Sequence, residues 1–394
     1  MGPATSKQIE AIRDALGRFA EFGTDDALWE ALARPESCDF MFGNPQEMPL
    51  PGYVEALTKA TQPTGPHHYA YTMDLPEATA AIAAGLRERF GLAFADRDVH
   101  LTNGNFSGLA ILLRTLVDPG DEVIFISPPW FFYEALIVAA GAAPVRVLAD
   151  RSTFDLDLDA LAVAITPRTR AVIVNSPNNP SGRIYGPELL DGLATVLDDA
   201  SARNDRRIFL LSDEAYNRII FDGRAFPTPV AHYSHSFLLY TYAKTLLSPG
   251  SRLGYIATPP GMPEADELRL SLLLGQITYG WAFPVAPLQH AIPDLERLRP
   301  DLSVLQQRRD VLVSTLREQG YEAIEPEGTF YILVRSPLED DERFCELLQA
   351  HDVYVLPGAM FEMPGYLRIS VTANDDMVER AIPGFAKAIA EARG

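Results

Sequence analysis

The segment Arg207-Ile-Phe-Leu-Leu-Ser-Asp213 decides the fold, because it is a short apolar run that ends in polar residues. Three further runs of this kind lie in the same part of the chain, at Glu122–Ser127, Arg170–Asn175 and Phe237–Tyr242. Helical patterns lie between them, for example at Asn105–Val117 and Pro187–Ala202. Short β-branched and aromatic runs are typical of strands buried on both faces of a parallel sheet. We therefore predict an α/β domain whose mostly parallel sheet is sandwiched by helices.

A different pattern occupies the C-terminal part of the chain. It starts with a long helical stretch from Pro293 to Gln319. Strand patterns follow at Tyr321–Ile324, Thr329–Val334, Val353–Leu356 and Tyr366–Val371, with helical patterns at Asp341–Ala350 and Asp375–Ala392. The first ~45 residues are too few for a core of their own, so we expect them to pack on this second part. We predict a large α/β domain over residues 46–292 and a smaller α+β domain formed by residues 1–45 and 293–394.

Composition excludes several classes of protein. The chain has 394 residues, of which 47% are hydrophobic and 22% charged, and this composition excludes a disordered or fibrous protein. The longest apolar stretch, Ala135–Val145, has 11 residues, whereas spanning a bilayer takes about 20. The formal net charge is −20, and such an acidic surface repels nucleic acid and anionic lipid. We expect neither a nucleic-acid nor a membrane partner.

Cysteine usage and the N-terminus predict a cytoplasmic protein. The two cysteines, Cys38 and Cys345, are too few for a disulfide framework, and neither belongs to a Cys/His cluster, so no metal site is expected. Residues 1–6 contain neither the basic start nor the apolar segment of a secretory signal.

The lysines single out one position. The chain contains only four, Lys7, Lys59, Lys244 and Lys387, and arginine supplies the rest of the positive charge. Lys244 alone follows a buried-strand pattern and precedes further apolar residues. Burying a charged lysine is costly, and amines in such surroundings act as nucleophiles that form Schiff bases. A strand-end lysine whose amine reaches solvent is the alternative.

Polar residues end three successive predicted strands. Asn175, Asp213 and Lys244 occupy these positions, and Asn178-Asn179 follows the first of them. The carboxyl ends of parallel strands line the crevice in which open α/β sheets bind ligands. A carboxylate at the end of an apolar strand is costly unless a cation or a proton donor meets it. Asp213 is therefore a candidate ligand-binding residue, with a helix N-cap as the alternative.

An anion site is indicated by Thr102-Asn-Gly-Asn-Phe-Ser-Gly108, which precedes a helical pattern. Backbone amides and the helix dipole at such a position attract phosphate. Arg252, eight residues after Lys244, offers a bidentate fork to the same group. Neither a dinucleotide fingerprint nor a Walker lysine motif is present, and this excludes a nicotinamide-dependent dehydrogenase.

Taken in order, these motifs resemble the signature of the class I/II aminotransferases, pyridoxal-phosphate enzymes of fold type I. The resemblance rests on Ser176-Pro-Asn-Asn-Pro-Ser-Gly182, on Asp213-Glu-Ala-Tyr216, and on Lys244 with Arg252 and Gly254. It extends from Gly43-Asn-Pro45 to Arg368-Ile-Ser370. Any one of these motifs is weak, but the ordered set is specific.

The resemblance implies a role for each motif around pyridoxal 5′-phosphate. Lys244 would hold the cofactor as a Schiff base, and Asp213 would pair with the protonated pyridine nitrogen. Asn179 and Tyr216 would hydrogen-bond the ring oxygen. Trp130 would stack on the ring, and its neighbours Phe131 and Phe132 are expected in the core. The phosphate would be bound by the residues Gly104, Asn105, Phe106, Thr241 and Arg252.

Substrate and partner residues follow from the same resemblance. Arg368 would bind the substrate α-carboxylate, helped by Asn179 and the Gly43 backbone. A tyrosine would reach the phosphate of the neighbouring subunit in a homodimer. Tyr69 fits this position, although Asp74 replaces the glycine that normally follows five residues later, and Tyr71 competes with it.

The predicted function is transfer of an amino group from an L-amino acid to a 2-oxo acid by ping-pong kinetics through pyridoxamine phosphate. Lys244 would move the proton from Cα. A β-lyase, decarboxylase or racemase on the same fold is an alternative, and an aminotransferase-like ligand-sensing domain is a remote one. The donor stays open. Its side chain is expected to contact parts of Phe42–Leu50, Trp130–Tyr133 and Leu274–Phe283.

Overall fold

The computed structural model of the chain describes residues 4–394, except for the side chain of Arg18. Residues 1–3 of the N-terminal segment considered above lie outside this range. The strands, in chain order, are β1 (Cys38–Asp39), β2 (Val99–Thr102), β3 (Glu122–Ser127), β4 (Ala143–Leu148), β5 (Thr169–Asn175), β6 (Phe209–Asp213), β7 (Ser236–Thr241), β8 (Gly254–Ala257), β9 (Glu322–Ile324), β10 (Tyr331–Arg335), β11 (Val353–Tyr354), β12 (Leu356–Pro357) and β13 (Tyr366–Ser370).

The α-helices are as follows: α1 (Lys7–Leu16), α2 (Arg18–Phe22), α3 (Asp26–Leu32), α4 (Pro51–Ala60), α5 (Pro76–Phe90), α6 (Asn105–Leu116), α7 (Tyr133–Ala139), α8 (Leu158–Ala164), α9 (Pro187–Arg203), α10 (Tyr242–Thr245), α11 (Ala265–Thr278), α12 (Ala286–Leu295), α13 (Ser303–Glu318), α14 (Asp341–Gln349) and α15 (Asp375–Arg393). None of the described helices is long and apolar enough to cross a membrane.

The main sheet has seven strands in the order β2-β8-β7-β6-β5-β3-β4. All neighbours are parallel except β8, which runs antiparallel to β2 and β7. The central strands are buried along their whole length, as their continuous apolar sequences predict. Separate apolar clusters pack on the two faces of the sheet. The predicted α/β class with a mostly parallel sheet is confirmed.

Strand register brings the predicted polar residues to one edge. Asn175 pairs directly with Asp213 across β5 and β6. Thr241 at the end of β7 pairs with Gly254 at the start of β8. The carboxyl ends of β5, β6 and β7 therefore meet beside the loop that carries Arg252, and this edge of the sheet holds the candidate site.

A smaller antiparallel sheet, in the order β12-β13-β10-β9, packs with α13, α14 and α15 around its own apolar cluster. The prediction of one helical stretch from Pro293 to Gln319 is wrong, because α12 ends at Leu295 and α13 begins at Ser303. Pro300 explains the break, since proline lacks an amide donor and disfavours helical backbone at the preceding residue. Asp301 then accepts the Ser303 amide at 2.9 Å.

The N-terminal segment contacts both the helical layer of the main sheet and the C-terminal part of the chain. Strand β1 pairs in parallel with β11 in the C-terminal part of the chain. Helix α1 instead packs on α7 of the main-sheet layer, where the Gln8 side chain donates to the Ala139 carbonyl at 3.0 Å. Helices α2 and α3 lie between these contacts and place aromatic side chains beside Phe42 and Phe131.

Candidate active site

A cavity of about 420 Å³ lies at the carboxyl ends of β5, β6 and β7. Twelve of the polar, glycine and aromatic residues to which the sequence assigns a place in the site line it: Gly43, Asn105, Phe106, Trp130, Asn175, Asn179, Asp213, Tyr216, Thr241, Lys244, Arg252 and Arg368. Gly104 lies immediately beside it, against Arg252. The structure thus brings together residues separated by more than three hundred positions in the sequence.

Lys244 lies on α10, one turn beyond the end of β7, and not at the strand end that the sequence predicts. Thr241 caps this helix, because its hydroxyl accepts the Ala243 amide at 3.3 Å. The Lys244 side chain is half-buried. Its Nζ lies 5.8 Å from the centroid of the Tyr216 ring and 5.6 Å from that of Phe330. Within the described part of the chain this amine forms no ion pair.

Asp213, at the end of β6, is 4% exposed. Its Oδ1 accepts from Asn105 Nδ2 at 2.6 Å and its Oδ2 accepts from Tyr133 Oη at 2.5 Å. Burial raises the pKa of Asp213, although these hydrogen bonds and the nearby charge of Lys244 partly oppose the shift. The carboxyl group is therefore oriented by uncharged donors and faces a cavity.

Two asparagines connect the Asp213 backbone to the opposite wall of the cavity. Asn175 donates from Nδ2 to the Asp213 carbonyl at 2.8 Å and accepts the Asn179 amide at 2.7 Å. The Asn179 side chain in turn accepts from Arg368 Nη1 at 3.0 Å. Asn178, the other member of the predicted amide pair, accepts from Ser181 within its own loop and shapes that turn. Only Asn179 of the pair lines the cavity.

Arg368, on β13, is a buried cation at the cavity wall. Its Nη2 donates to the Met41 carbonyl at 2.9 Å, and its Nε has no hydrogen-bond partner among the described residues. Burial lowers the pKa of Arg368. The guanidinium Cζ lies 4.1 Å from the centroid of the Tyr331 ring, so this ring fixes its plane. A buried guanidinium without a carboxylate partner is suited to bind an anionic ligand.

Two tyrosines lie between Arg368 and Lys244. Burial raises the pKa of Tyr216 well above its ordinary value. Burial alone would also raise the pKa of Tyr331, but the charges of Arg368 and Lys244 lower it. Tyr331 also accepts hydrogen bonds from Tyr216 and from the Gly43 backbone. Gly43 is required at this point, since a Cβ there would lie 2.3 Å from Phe330 Cε2.

The predicted anion site forms where α6 begins. Gly104 precedes this helix with φ +83°, a left-handed conformation that favours glycine. A Cβ at Gly104 would lie 2.7 Å from Arg252 Nη2, so the guanidinium packs on bare backbone. Helix N-terminus, arginine and the Thr241 hydroxyl together suit a phosphate group.

Aromatic rings form the remaining wall. Trp130 lies edge-on to Phe106 at a centroid distance of 5.0 Å and to Tyr133 at 5.5 Å. The expectation that Phe131 and Phe132 belong to the core is wrong, because both are half-buried and line the cavity. They take this position because β3 ends before Pro128 and the chain crosses the mouth of the sheet before α7 begins.

Other predicted residues lie outside this cavity. Tyr69 is 58% exposed and Tyr71 is 100% exposed, and both line a separate surface depression with Phe283 and Val285. The residues 274–283, expected to contact the donor side chain, do not reach the cavity of the same chain, and this expectation stays a prediction. Helix α11 instead presents Leu274 and Ile277 to solvent.

The sequence analysis assigned no role to two further residues of the site, Tyr133 and Tyr331. Tyr133, the first residue of α7, follows Trp130 by three residues and donates to Asp213, and its closeness to Trp130 in the sequence was the available signal. Tyr331 follows Phe330 and stacks on Arg368, a contact between strands far apart in the chain. Asn105 was expected to act through its backbone amide, yet its side chain donates to Asp213.

The donor set fits pyridoxal phosphate. Asp213 offers a carboxylate to a protonated ring nitrogen, Trp130 offers a flat surface, and the Gly104–Arg252 contact offers an anion site. Two buried polar atoms that line the cavity, Asn105 Oδ1 and Arg368 Nε, lack partners among the described residues. An amine, a buried acid and an anion site around one cavity define the class of pyridoxal-phosphate enzymes.

Comparison with known proteins identifies the family. The family model described as Aminotransferase class I and II matches residues 37–385. A relative from Thermus aquaticus, named "Probable aspartate/prephenate aminotransferase", is 31% identical over 344 residues, which cover 86% of this chain and 88% of the relative. The "Aspartate/prephenate aminotransferase" of Thermus thermophilus is 30% identical over 349 residues, which cover 87% and 88%.

Solved structures of aminotransferases are similar to this chain over nearly its whole length. An amino transferase from Eubacterium rectale has a TM-score of 0.90 and 30% identity and covers 100% of both chains. The aspartate aminotransferase of Thermotoga maritima has a TM-score of 0.84 and 25% identity and covers 97% of this chain and 99% of its own. The chain belongs to the class I and II aminotransferases and is a pyridoxal-phosphate-dependent aminotransferase. The family, fold, cofactor and reaction class predicted from the sequence are confirmed.

Proposed function

We propose that Lys244, Asp213 and Tyr216 are the catalytic residues of this aminotransferase. The observation that carries the proposal is the position of Asp213, a 4% exposed carboxylate that faces the same cavity as Lys244. A buried acid with uncharged donors on both oxygens is unusual unless a ligand supplies a cation. When bound, pyridoxal phosphate supplies an electron sink for the negative charge that develops at Cα of the substrate.

Asp213 keeps that sink effective by holding a proton on the ring nitrogen. Tyr133 and Asn105 fix its two oxygens, so the carboxylate is oriented before the cofactor binds. Tyr216 and Asn179 lie where they can hydrogen-bond the ring oxygen. Trp130, which lines the same cavity, would pack against one face of the ring.

Lys244 has two tasks. It would bind the cofactor through its amine, and in the proposed reaction the same amine would move the Cα proton of the substrate, first as a base and then as an acid. The rings of Tyr216 and Phe330 pack around this amine and limit access of water. Because α10 is a single turn capped by Thr241, the amine is held close to the anion site.

Arg368 and Asn179 would hold the substrate α-carboxylate. The guanidinium has its plane fixed by Tyr331 and one nitrogen free, which suits a bidentate contact. The Gly43 backbone lies beside it in the same wall. The phosphate would be bound by the amides of Gly104, Asn105 and Phe106 at the start of α6, with Thr241 and Arg252.

We propose a homodimer whose interface covers an apolar surface next to the site. Large apolar side chains of the loop around residue 70 and of residues 270–285 are exposed, namely Tyr69, Tyr71, Met73, Leu270, Leu274, Ile277, Tyr279, Trp281 and Val285. Contiguous exposed apolar surface of this kind marks an interaction site. Asn103 of the phosphate loop contacts the Trp281 carbonyl, so this surface adjoins the cavity. Tyr69 or Tyr71 of one subunit would then reach the partner's phosphate site.

We also propose the domain division 46–292 against 1–45 with 293–394, supported by the separate seven-stranded and four-stranded sheets. A cytoplasmic location is supported by two free, buried cysteines. The substrates would be an L-amino acid and a 2-oxo acid, exchanged through pyridoxamine phosphate.

The half-reaction tests this proposal. The enzyme loaded with pyridoxal phosphate is expected to absorb in the visible range, and an L-amino acid donor should convert it to the pyridoxamine form with one equivalent of 2-oxo acid released. Lys244→Ala should bind the cofactor without completing this conversion, and Lys59→Ala serves as the matched control. Product formation with no pyridoxamine form would instead indicate a lyase, decarboxylase or racemase.

A further inference from the structure

The substrate end of the cavity has aromatic walls. Phe131 lies beside the arginine proposed to bind the α-carboxylate, with the Arg368 Cζ 6.0 Å from its ring centroid. Phe42 lines the same cavity from the segment that follows β1. A donor whose carboxylate is held by Arg368 and whose amine points to Lys244 must place its side chain in the remaining space. That space is bounded by these rings.

The N-terminal helices hold both rings in place from behind. Phe19 of α2 stacks on Phe131 with a centroid distance of 4.8 Å and an interplanar angle of 22°. Trp29 of α3 stacks on Phe42 with a centroid distance of 5.9 Å and an angle of 11°. Phe22 packs edge-on against Phe42 at 5.6 Å. The two walls are therefore parts of one aromatic layer.

The cations that this chain itself supplies to the cavity all have an assigned role. Among the described side chains that line it, the cations are Lys244, Arg252 and Arg368. In the proposed function Lys244 binds the cofactor, Arg252 binds its phosphate and Arg368 binds the α-carboxylate of the substrate. Among the described side chains of residues 4–394 that line the cavity, no further cation remains to bind a second carboxylate on the donor. An unpaired carboxylate placed against aromatic rings would lose its hydration without compensation.

We propose that the amino donor is an L-amino acid with an apolar or aromatic side chain, and that Phe131 and Phe42 determine this specificity. The inference rests on the proposed function, because it takes Arg368 as the α-carboxylate site. Phe19 and Trp29 are positioning residues, since they contact the walls and not the donor. Apolar side chains gain from burial on these rings, whereas dicarboxylic donors do not.

A donor panel tests the proposal in the cofactor-loaded enzyme. The second-order rate constant of the half-reaction is measured for each donor. It should be about tenfold or more higher for L-phenylalanine and L-leucine than for L-aspartate and L-glutamate. Equal or faster conversion by L-aspartate would overturn the specificity and would point to a cation supplied by a partner subunit. Failure of every donor would refute the proposed function itself, and the two failures are thus distinguishable.

A binding measurement separates recognition from chemistry. By calorimetry on the loaded enzyme, 3-phenylpropanoate should bind about tenfold or more tightly than succinate. Phe131→Arg should shift this ratio toward succinate by a similar factor, because it adds a cation beside Arg368. Phe131→Leu, which stays apolar, should keep the preference for 3-phenylpropanoate and controls for disturbance of the fold. Tighter binding of succinate than of 3-phenylpropanoate by the unmodified enzyme would contradict the proposal. An unchanged ratio of the two affinities in folded Phe131→Arg would also contradict it.

Discussion

Two buried carboxylates of the main-sheet layer have opposite surroundings. Glu296, just after α12, is 7% exposed and accepts from Arg89 at 3.1 Å, from Arg218 at 2.7 Å and from Tyr242 at 2.5 Å. Although its burial opposes ionisation, the two arginines lower the pKa of Glu296. Asp213 has only uncharged hydrogen-bond donors, and burial raises its pKa.

The contrast separates a structural acid from a functional one. The chain supplies its own cations to Glu296, so that charge is balanced before any ligand binds. It orients Asp213 equally well but leaves it facing a cavity, with Lys244 as its nearest positive influence. The proposed function assigns the missing cation at Asp213 to the protonated ring nitrogen of the cofactor. Burial alone does not reveal function, whereas burial with an unbalanced charge does.

Removing the charge of Glu296 should have the largest effect. Glu296→Gln leaves two buried arginines uncompensated, and we expect the free energy of unfolding of the loaded enzyme to fall by about 3–5 kcal/mol. Denaturant titration measures this loss. Asp294→Asn, two residues away in an exposed pair with Lys59, is the control and should cost about 1 kcal/mol or less. Equal losses in the two variants would contradict the structural role of Glu296.

A third buried acid, Glu214, should make the stability of the protein depend on pH. Burial raises the pKa of Glu214 from 4.5 to about 7, so the folded protein binds a proton that the unfolded chain has released. Its contribution to stability is present below pH 4.5 and is lost as the pH rises through about 7. The loss amounts to about 3 kcal/mol. Glu296 acts in the opposite direction, since its lowered pKa adds stability that is lost as the pH falls.

Unfolding measured from about pH 5 to pH 8 checks this effect. The stability of Glu214→Gln relative to the unmodified enzyme should improve as the pH rises. Glu296→Gln provides the contrast, because its relative stability should not improve over that range. Parallel profiles for Glu214→Gln and the unmodified enzyme would show that Glu214 does not take up the proton.

Much of the fold was predictable because its signals are local. The strands at residues 122–127 and 209–213 are continuous apolar runs, and such runs specify a buried parallel strand without tertiary information. The break at Pro300 was visible in the sequence too, but the helical periodicity on either side obscured it. Lys244 was found because it alone of the four lysines follows a buried-strand pattern and precedes further apolar residues.

The site was only partly predictable, because its supporting contacts join distant segments. Asp213 was found at a strand end, but its partners Tyr133 and Asn105 lie on two other elements, 80 and 108 positions away. No local pattern encodes such distances. Phe131 and Phe132 were assigned to the core, since an aromatic run reads as apolar whether it faces a core or a cavity.

The affinity of Asp213→Asn for pyridoxal phosphate tests the central claim most directly. We expect the Kd from absorbance titration to rise about 10–100-fold, because a charge-assisted contact to the ring nitrogen is lost. The thermal midpoint of the cofactor-free variant should equal or exceed that of the cofactor-free unmodified chain, since an unbalanced buried charge is removed. Unchanged cofactor affinity together with a lower thermal midpoint would make Asp213 a structural acid like Glu296 and would contradict the account.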